Sequence, residues 1–327
     1  MENSSTNIIL SICIPTYNRG CYLEQSLDIL LPQLKSYTEN TEVIISDNCS
    51  NDNTEVVVEK AVKKYDFPIV YSKNQENIGG NNNMAKVVSN SSGKYVFLMG
   101  DDDILSPDII DALMKRLRMD KEIGLLFFNR LCGDSNCDNC SICEPHYSSI
   151  ERVCKPADFI KEIMDKANFI SSVVFNRVCW NLGEKHLDEF RYFGYQWYAR
   201  LFWGAIEFEK PCVYYFMPLV IQRDGEKTWL KYWPQYYLGS MSNIFHDLDE
   251  KVPGVYNKWS KKLRIVAGPT IKAMVPFKDY YKQENVKNNI QQHLTRLEII
   301  KMNCYLNLPL IGLWFRLCNK VIRVFNR

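Results

Sequence analysis

The chain lacks an excess of either charge: 40 Lys and Arg stand against 38 Asp and Glu in 327 residues. Such a balance gives no case for nucleic acid as a partner. Long apolar runs are missing as well, and no stretch reaches the ~20 residues that a membrane-spanning helix needs. Met1 to Ile9 has neither a basic start nor a long apolar stretch, so no signal peptide is expected. The chain is therefore expected to be made and kept in the cytoplasm. Internal repeats and low-complexity segments are absent, and Asn81-Asn82-Asn83 is too short to count as one. What is present is 46% hydrophobic residues, enough for a real core. The length suits a domain of about 200 residues with an appended region.

The most informative junction is Tyr95-Val96-Phe97-Leu98-Met99-Gly100 running into Asp101-Asp102-Asp103. An apolar run of that kind belongs inside a sheet, and carboxylates at its carboxyl end project into the crevice where open α/β sheets bind ligands. Three adjacent acids repel one another unless a cation sits among them, and hard Mg²⁺ or Mn²⁺ beside a substrate phosphate suits them. The alternative is an acidic turn capping a helix that starts near Pro107. Other strands precede this one: Ile8 to Ile14, ending at Pro15-Thr16-Tyr17-Asn18-Arg19; Glu42 to Ser46, ending at Asp47-Asn48-Cys49-Ser50-Asn51-Asp52; and Ile69-Val70-Tyr71, followed by Asn77-Ile78-Gly79-Gly80-Asn81. Gly124 to Phe128 reads as a fifth strand. Helical patterns lie between them, the first carrying Leu23, Leu27, Leu30, Leu31 and Leu34. Strands alternating with helices predict βαβ units and a mostly parallel sheet flanked by helices. Polar clusters recur at the ends of strands one, two and four, which predicts a binding crevice there.

These four motifs, in this order and spacing, resemble the family 2 glycosyltransferases of the nucleotide-sugar-binding GT-A fold. The resemblance covers about the first 130 residues. It implies that Pro15, Thr16, Tyr17, Asn18, Arg19, Asp47, Asn77 and Gly79 help bind a donor, with Thr16 and Asp47 at the nucleoside. It further implies that Asp101, Asp102 and Asp103 carry the Mn²⁺ or Mg²⁺ that bridges the donor diphosphate. Gly100 stands where many members have the first acid, which makes Asp102 the first choice for the direct metal ligand. The bottom-up reason agrees, because a departing diphosphate needs its charge neutralised.

Twelve cysteines in a chain expected in the cytoplasm call for an account other than disulfides. Cys132, Cys137, Cys140 and Cys143 cluster in a hydrophilic stretch, with His146 and Cys154 nearby. Thiolates at such spacing suit a structural Zn²⁺ that would fold the loop. An iron–sulfur cluster and a plain reduced loop are the alternatives. The resemblance does not supply this site.

Beyond about residue 155 the resemblance thins. In the family an acidic pair before a helix supplies the catalytic base, and here Tyr195-Gln196 stands in its place. Gln cannot ionise, so Asp188, Glu189 and Asp224 become the candidates, each with a helix-capping surface carboxylate as its alternative. Arg223 is a candidate for the diphosphate, or a partner of Glu226. Trp197, Trp203, Trp229 and Trp233 suit either a sugar-stacking wall or a core. Helices are expected over Val255 to Ala273, Tyr280 to Met302 and Leu308 to Phe325. The last mixes Trp314, Phe315 and leucines with basic residues, as does a helix lying in a membrane interface or one docked on its own domain.

The expected organisation is therefore a nucleotide-sugar-binding half over 1–130, a Cys-rich insertion over 131–155, an acceptor-side half over 156–250 and a helical C-terminal region over 251–327. The expected activity is metal-dependent, inverting transfer of a sugar from a nucleoside diphosphate to a glycan hydroxyl in bacterial surface-polysaccharide synthesis. The acceptor is expected on a lipid carrier, with the protein peripheral at the inner face of the membrane. A nucleotidyltransferase, or a sugar- or nucleotide-binding module that has lost its base, are the rival readings.

Overall fold

A computed structural model describes residues 8–119, 121–133, 140–142, 150–164, 166, 168–223 and 231–307. The chain forms two compact units, Met1–Leu187 with Trp197–Glu226, and Asp188–Gln196 with Lys227–Arg327.

The first unit is built on one ten-stranded sheet. Its strands are β1 (Leu10–Thr16), β2 (Thr41–Asp47), β3 (Ile69–Lys73), β4 (Tyr95–Leu98), β5 (Ile104–Leu105), β6 (Leu125–Gly133), β7 (Cys140–Ile142), β8 (Glu151–Cys154), β9 (Val173–Asn176) and β10 (Cys212–Arg223). They lie in the order β3-β2-β1-β4-β9-β6-β10-β5, with β7 beside β6 and β8 beside β10. The first four run parallel, as do β6 and β10. They are joined by α1 (Gly20–Leu34), α2 (Thr54–Tyr65) and α3 (Gly80–Ser89), and α4 (Ile109–Leu117) follows β5. Continuous burial of Leu10 to Ile14 and of Tyr95 to Met99 is what a parallel strand covered on both faces requires. The leucines of α1 pack into the same core, and Gly20 opens that helix because a Cβ there would meet Asn53 Oδ1 at 2.3 Å.

The expected mostly parallel sheet is present, with β9 as a wedge inside it and β5, β7 and β8 antiparallel to the strands they join. The run Phe169 to Phe175 begins as a 3₁₀ turn over Ile170–Ser172 and only then becomes β9, which pairs antiparallel with both β4 and β6. Of the stretch 131–155, the described residues continue β6 and form β7 and β8, so they belong to the sheet.

The second unit is helical. Residues 235–248 form one continuous helix whose first part, Gln235–Ser240, has π spacing. Val255–Ala273 falls where its periodicity predicts, and its fully buried Trp259 packs on Tyr237 and Phe245 and donates to Ser242 Oγ at 2.8 Å. The single helix expected over Tyr280 to Met302 is instead three: Lys278–Tyr281, Glu284–Gln291 and Arg296–Asn307. A capping box starts the last of them, with Thr295 N–H and Oγ donating to Glu298 Oε2 at 2.8 and 2.7 Å. The helix expected over Leu308 to Phe325 lies outside the described residues. No described helix is long and apolar enough to cross a membrane.

Candidate active site

Because β3, β2, β1 and β4 are parallel neighbours, their carboxyl ends emerge along one edge, where ligands of open α/β sheets bind. The turns that follow are knitted together by side chain to backbone hydrogen bonds. Asn18 takes a left-handed φ of 52°, its N–H donates to Ser50 Oγ at 2.8 Å, and its Oδ1 accepts from Asn51 N–H at 2.8 Å. Gly20 N–H donates to Asp52 Oδ2 at 2.9 Å. Asn48 spans to the third turn: its Nδ2 donates to Asn77 Oδ1 at 2.8 Å, and its Oδ1 accepts from Ile78 N–H at 2.9 Å. Asn77 Oδ1 also accepts from Gly79 N–H, and Gly79, at φ 83° and ψ 155°, sits in a region that only glycine enters cheaply.

Asp47 is wholly buried. One oxygen accepts from Ser50 N–H at 2.8 Å and the other from the Tyr71 hydroxyl at 2.7 Å. Its carboxylate therefore shapes the turn after β2. Pro15 and Thr16 close β1, and Tyr17 is 45% exposed beside them.

The three aspartates differ from one another. Asp101 Oδ2 accepts from the Thr16 hydroxyl at 2.7 Å, and its Oδ1 lies 3.1 Å from Arg19 Nη1. The same guanidinium nitrogen lies 2.9 Å from Asp102 Oδ2. Asp103 Oδ2 accepts from the Ser171 hydroxyl at 2.5 Å, and the Arg223 backbone N–H also holds that carboxylate. The Ser26 hydroxyl bridges the backbone carbonyls of Asp101 and Asp103 at 3.0 Å each. None of the triplet caps α4, so the capping alternative does not describe these residues.

Gly100 has a local reason. A Cβ there would stand 2.7 Å from Asp103 Oδ2. Burial pushes the Asp101 carboxyl up to about 6, with Asp102 adding to the rise and Arg19 and Thr16 opposing it. Burial, then Asp102, raises Asp103 as well. Asp102 is the open one, its side chain 29% exposed. Among the described residues no three His, Cys, Asp or Glu side chains converge as a ready metal cage. The donor set still fits a hard divalent cation, which uses one or two carboxylates and completes its shell with substrate phosphate and water.

Arg223 reaches the same unit's α1: its Nη2 donates to Gln25 Oε1 at 2.8 Å and its guanidinium lies 5.1 Å from the Tyr22 ring centroid. Its Nε has no partner among the described residues. Asp224 and Glu226 lie outside them.

The other base candidates belong to the helical unit. Asp188 Oδ1 accepts from Phe190 and Arg191 N–H at 3.1 and 2.9 Å, which makes it a turn residue. The Glu189 side chain is exposed and has no hydrogen bond among the described residues. Tyr195 packs on Tyr236, and Gln196 donates to the Glu189 carbonyl at 3.4 Å. Trp197 and Trp203 are buried, Trp203 stacked on His186 at 4.3 Å, and Trp233 stacks on Tyr237. Trp229 lies outside the described residues.

The cysteine cluster does not assemble as a zinc site where it is described. Cys132 is disulfide-bonded, so its sulfur is not a thiolate ligand. Cys140 opposes Gly133 in the β6–β7 ladder while Cys132 opposes Ser141, and successive strand residues face opposite sides. The two sulfurs therefore leave opposite faces of the ribbon. Cys137 and Cys143 lie outside the described residues.

Several residues that build the site went unmarked in the sequence. Ser171 sits in a short 3₁₀ turn with no motif around it, and Ser26 is one more position in a helix. Asn83, from the patch set aside as too short, accepts from the Ser46 hydroxyl at 2.7 Å and from Asn74 Nδ2 at 3.0 Å.

Residues 11–136 match the family model described as glycosyl transferase family 2. Over those residues the chain resembles a family 2 glycosyltransferase domain. It is 36% identical over 141 residues to the abequosyltransferase RfbV of Salmonella typhimurium, covering 43% of this chain and 41% of that protein. It is 33% identical over 108 residues to the GalNAc(5)-diNAcBac-PP-undecaprenol beta-1,3-glucosyltransferase of Campylobacter jejuni, covering 33% of this chain and 34% of the other. The chain thus matches about two fifths or less of the length of these relatives. Its fold is that of S. aureus TarS 1-349, solved in complex with UDP-GlcNAc: TM-score 0.58, 14% identity, with 94% of this chain and 92% of the other covered. The four motifs of the glycosyltransferase domain are the strand-end turns described above.

Proposed function

We propose that the chain transfers a sugar from a nucleoside diphosphate to a hydroxyl of a glycan acceptor, inverting the anomeric centre by direct displacement. The observation that carries this is the convergence of Asp101, Asp102, Arg19 and Thr16 at the carboxyl edge of β1 and β4. A cation-seeking carboxylate and a guanidinium side by side suit a diphosphate that must leave with its charge neutralised. Asp102 would be the direct ligand for Mn²⁺ or Mg²⁺, with the buried carboxyls of Asp101 and Asp103 beside it. A bound divalent ion supplies charge neutralisation to the departing diphosphate. Arg19 then exchanges a carboxylate partner for a phosphate oxygen, and Arg223, with its unpartnered Nε, is a second phosphate ligand. The turn formed by Asn18, Ser50, Asn48 and Asn77 frames the nucleoside.

The activities of these relatives support sugar transfer in surface-polysaccharide assembly, and the undecaprenol-linked substrate of the Campylobacter enzyme supports a lipid-linked acceptor at the inner face of a membrane. One observation favours a second reading, a binding module without turnover: neither Tyr195 nor Gln196 carries a carboxylate, and Asp188 is a turn residue. Glu189 and Asp224 remain as bases.

Thermal shift against UDP, GDP, CDP and dTDP, each with and without Mn²⁺, tests the donor assignment. One diphosphate raising the melting temperature only with Mn²⁺ is the expected result. No shift with any of them defeats it.

A further inference from the structure

The near-neutral total conceals a segregation of charge. Residues 255–327 hold 14 Lys and Arg against 3 Asp and Glu, a net +11, which leaves −9 on residues 1–254. In the second unit this charge stands beside exposed apolar side chains. On Val255–Ala273, Lys258, Lys261, Ile265 and Lys272 recur at steps of three, four and seven, so they share one face. All four are exposed, Ile265 to 78%. On the neighbouring helix Arg296–Asn307, Leu297 and Ile300 are 60% and 57% exposed, flanked by exposed Arg296 and Lys301. The buried sides of the two helices are separate: Trp259, Leu263, Ala267 and Ile271 on one, Met302 and Leu306 on the other.

We propose that this face docks on an anionic lipid bilayer. Ile265, Leu297 and Ile300 enter the headgroup boundary, and the lysines and Arg296 sit among anionic headgroups. Charge decides between possible occupants. A second copy of the face, or residues 308–327 with 4 Lys and Arg and no acid, would set positive against positive. A nucleic acid would satisfy the charge and leave three large aliphatic side chains with no apolar layer to enter. Only a charged surface with a hydrocarbon floor meets both requirements. The proposal extends the lipid-linked acceptor reading, and its test needs neither donor nor acceptor.

The test is flotation of the full chain with vesicles of phosphatidylcholine alone and of phosphatidylcholine mixed with phosphatidylglycerol, at low and high salt. Flotation is expected only with the anionic lipid, and salt should release it by screening. The triple variant K258E/K261E/K272E should bind at least about tenfold more weakly. The double variant I265S/I300S should also weaken, at an unchanged melting temperature. A full chain that ignores anionic vesicles at low salt overturns the proposal, as does a triple variant that floats like its parent. Capture by a DNA duplex without vesicle binding, or a dimer that the same substitutions dissolve, assigns the face elsewhere and overturns it too.

Discussion

In the unit built on the sheet, polar side chains gather at the carboxyl ends of β1, β2 and β4. In the helical unit they brace one element against another. Asp47, Asn48, Asn77 and Asp101 bind turns that carry no apolar packing of their own. Asp247 instead takes both Arg191 Nε and Nη2 at 2.5 Å and the Tyr192 hydroxyl at 2.7 Å, fastening the segment 188–196 to the helix 241–248. Beside it His293 Nδ1 lies 3.0 Å from the Tyr256 hydroxyl and its Nε2 lies 2.7 Å from Asn243 Oδ1. Both networks are dense, yet only the first leaves a carboxylate open and a guanidinium within its reach. A buried network that is fully satisfied rigidifies. One with an open member can bind.

The comparison breaks most sharply at the base. If catalysis draws on the helical unit, Glu189→Gln should lower kcat by about a hundredfold or more, while Asp224→Asn changes it little. The reverse outcome moves the base out of the segment 188–196. Single-turnover rates with a donor sugar and acceptor decide this: losses under about tenfold in both variants would place the base on neither residue, and a parent without turnover would leave the binding-module reading.

Next in size is Asp102→Asn. It removes the open carboxylate without touching Asp101 or Asp103, so the melting temperature should hold. The affinity for the preferred diphosphate with Mn²⁺ should fall by about tenfold to a hundredfold, a cost of ~1.4–3 kcal/mol. Calorimetric titration in Mn²⁺ and in chelator checks it, and equal affinities for parent and variant in Mn²⁺ would remove the cation from this edge.

The smallest effect concerns the helical unit alone. Burial, with His246 and Arg191 nearby, pulls the His293 imidazole down to about 4. The folded state thus resists a proton that the unfolded chain accepts at about 6.5. His293 therefore contributes its full stability above about 6.5 and loses it as pH falls toward about 4. Hydrogen exchange at pH 7 and pH 5 should show residues 231–307 opening more readily at the lower pH, and β1 to β4 not doing so, because the raised carboxyls of Asp101 and Asp103 favour the folded sheet as pH falls. His293→Gln should flatten the difference. Equal protection of both regions at both pH values would remove His293 as the cause.

Much of the first unit was legible because a parallel strand covered on both faces must be apolar throughout, and its end must turn polar. Leu10 to Ile14 and Tyr95 to Leu98 announce themselves in that way, and the aspartates follow. The breaks in the last helices were legible in principle through Thr295-Arg296-Leu297-Glu298, but a capping box inside a helical pattern reads as part of the helix until the chain is seen to stop and restart. The cysteine cluster was harder to read, and of its four members only Cys132 and Cys140 lie among the described residues. Spacing in sequence says nothing of which face of a ribbon a cysteine leaves, and the β6–β7 register sends Cys132 and Cys140 apart.

By itself the sequence determined the alternation of strands and helices, the polar turns after β1, β2 and β4, and the charge gathered in residues 255–327. Local periodicity and composition are enough for these, since each depends on neighbours along the chain. Tertiary structure alone decided that Arg19 lies between Asp101 and Asp102, that Ser171 holds Asp103 from a 3₁₀ turn 68 residues away, and that Asp47 is fully enclosed while Asp102 stays open. Those outcomes depend on which strands become neighbours and in what register, and a carboxylate's exposure is a property of what packs over it.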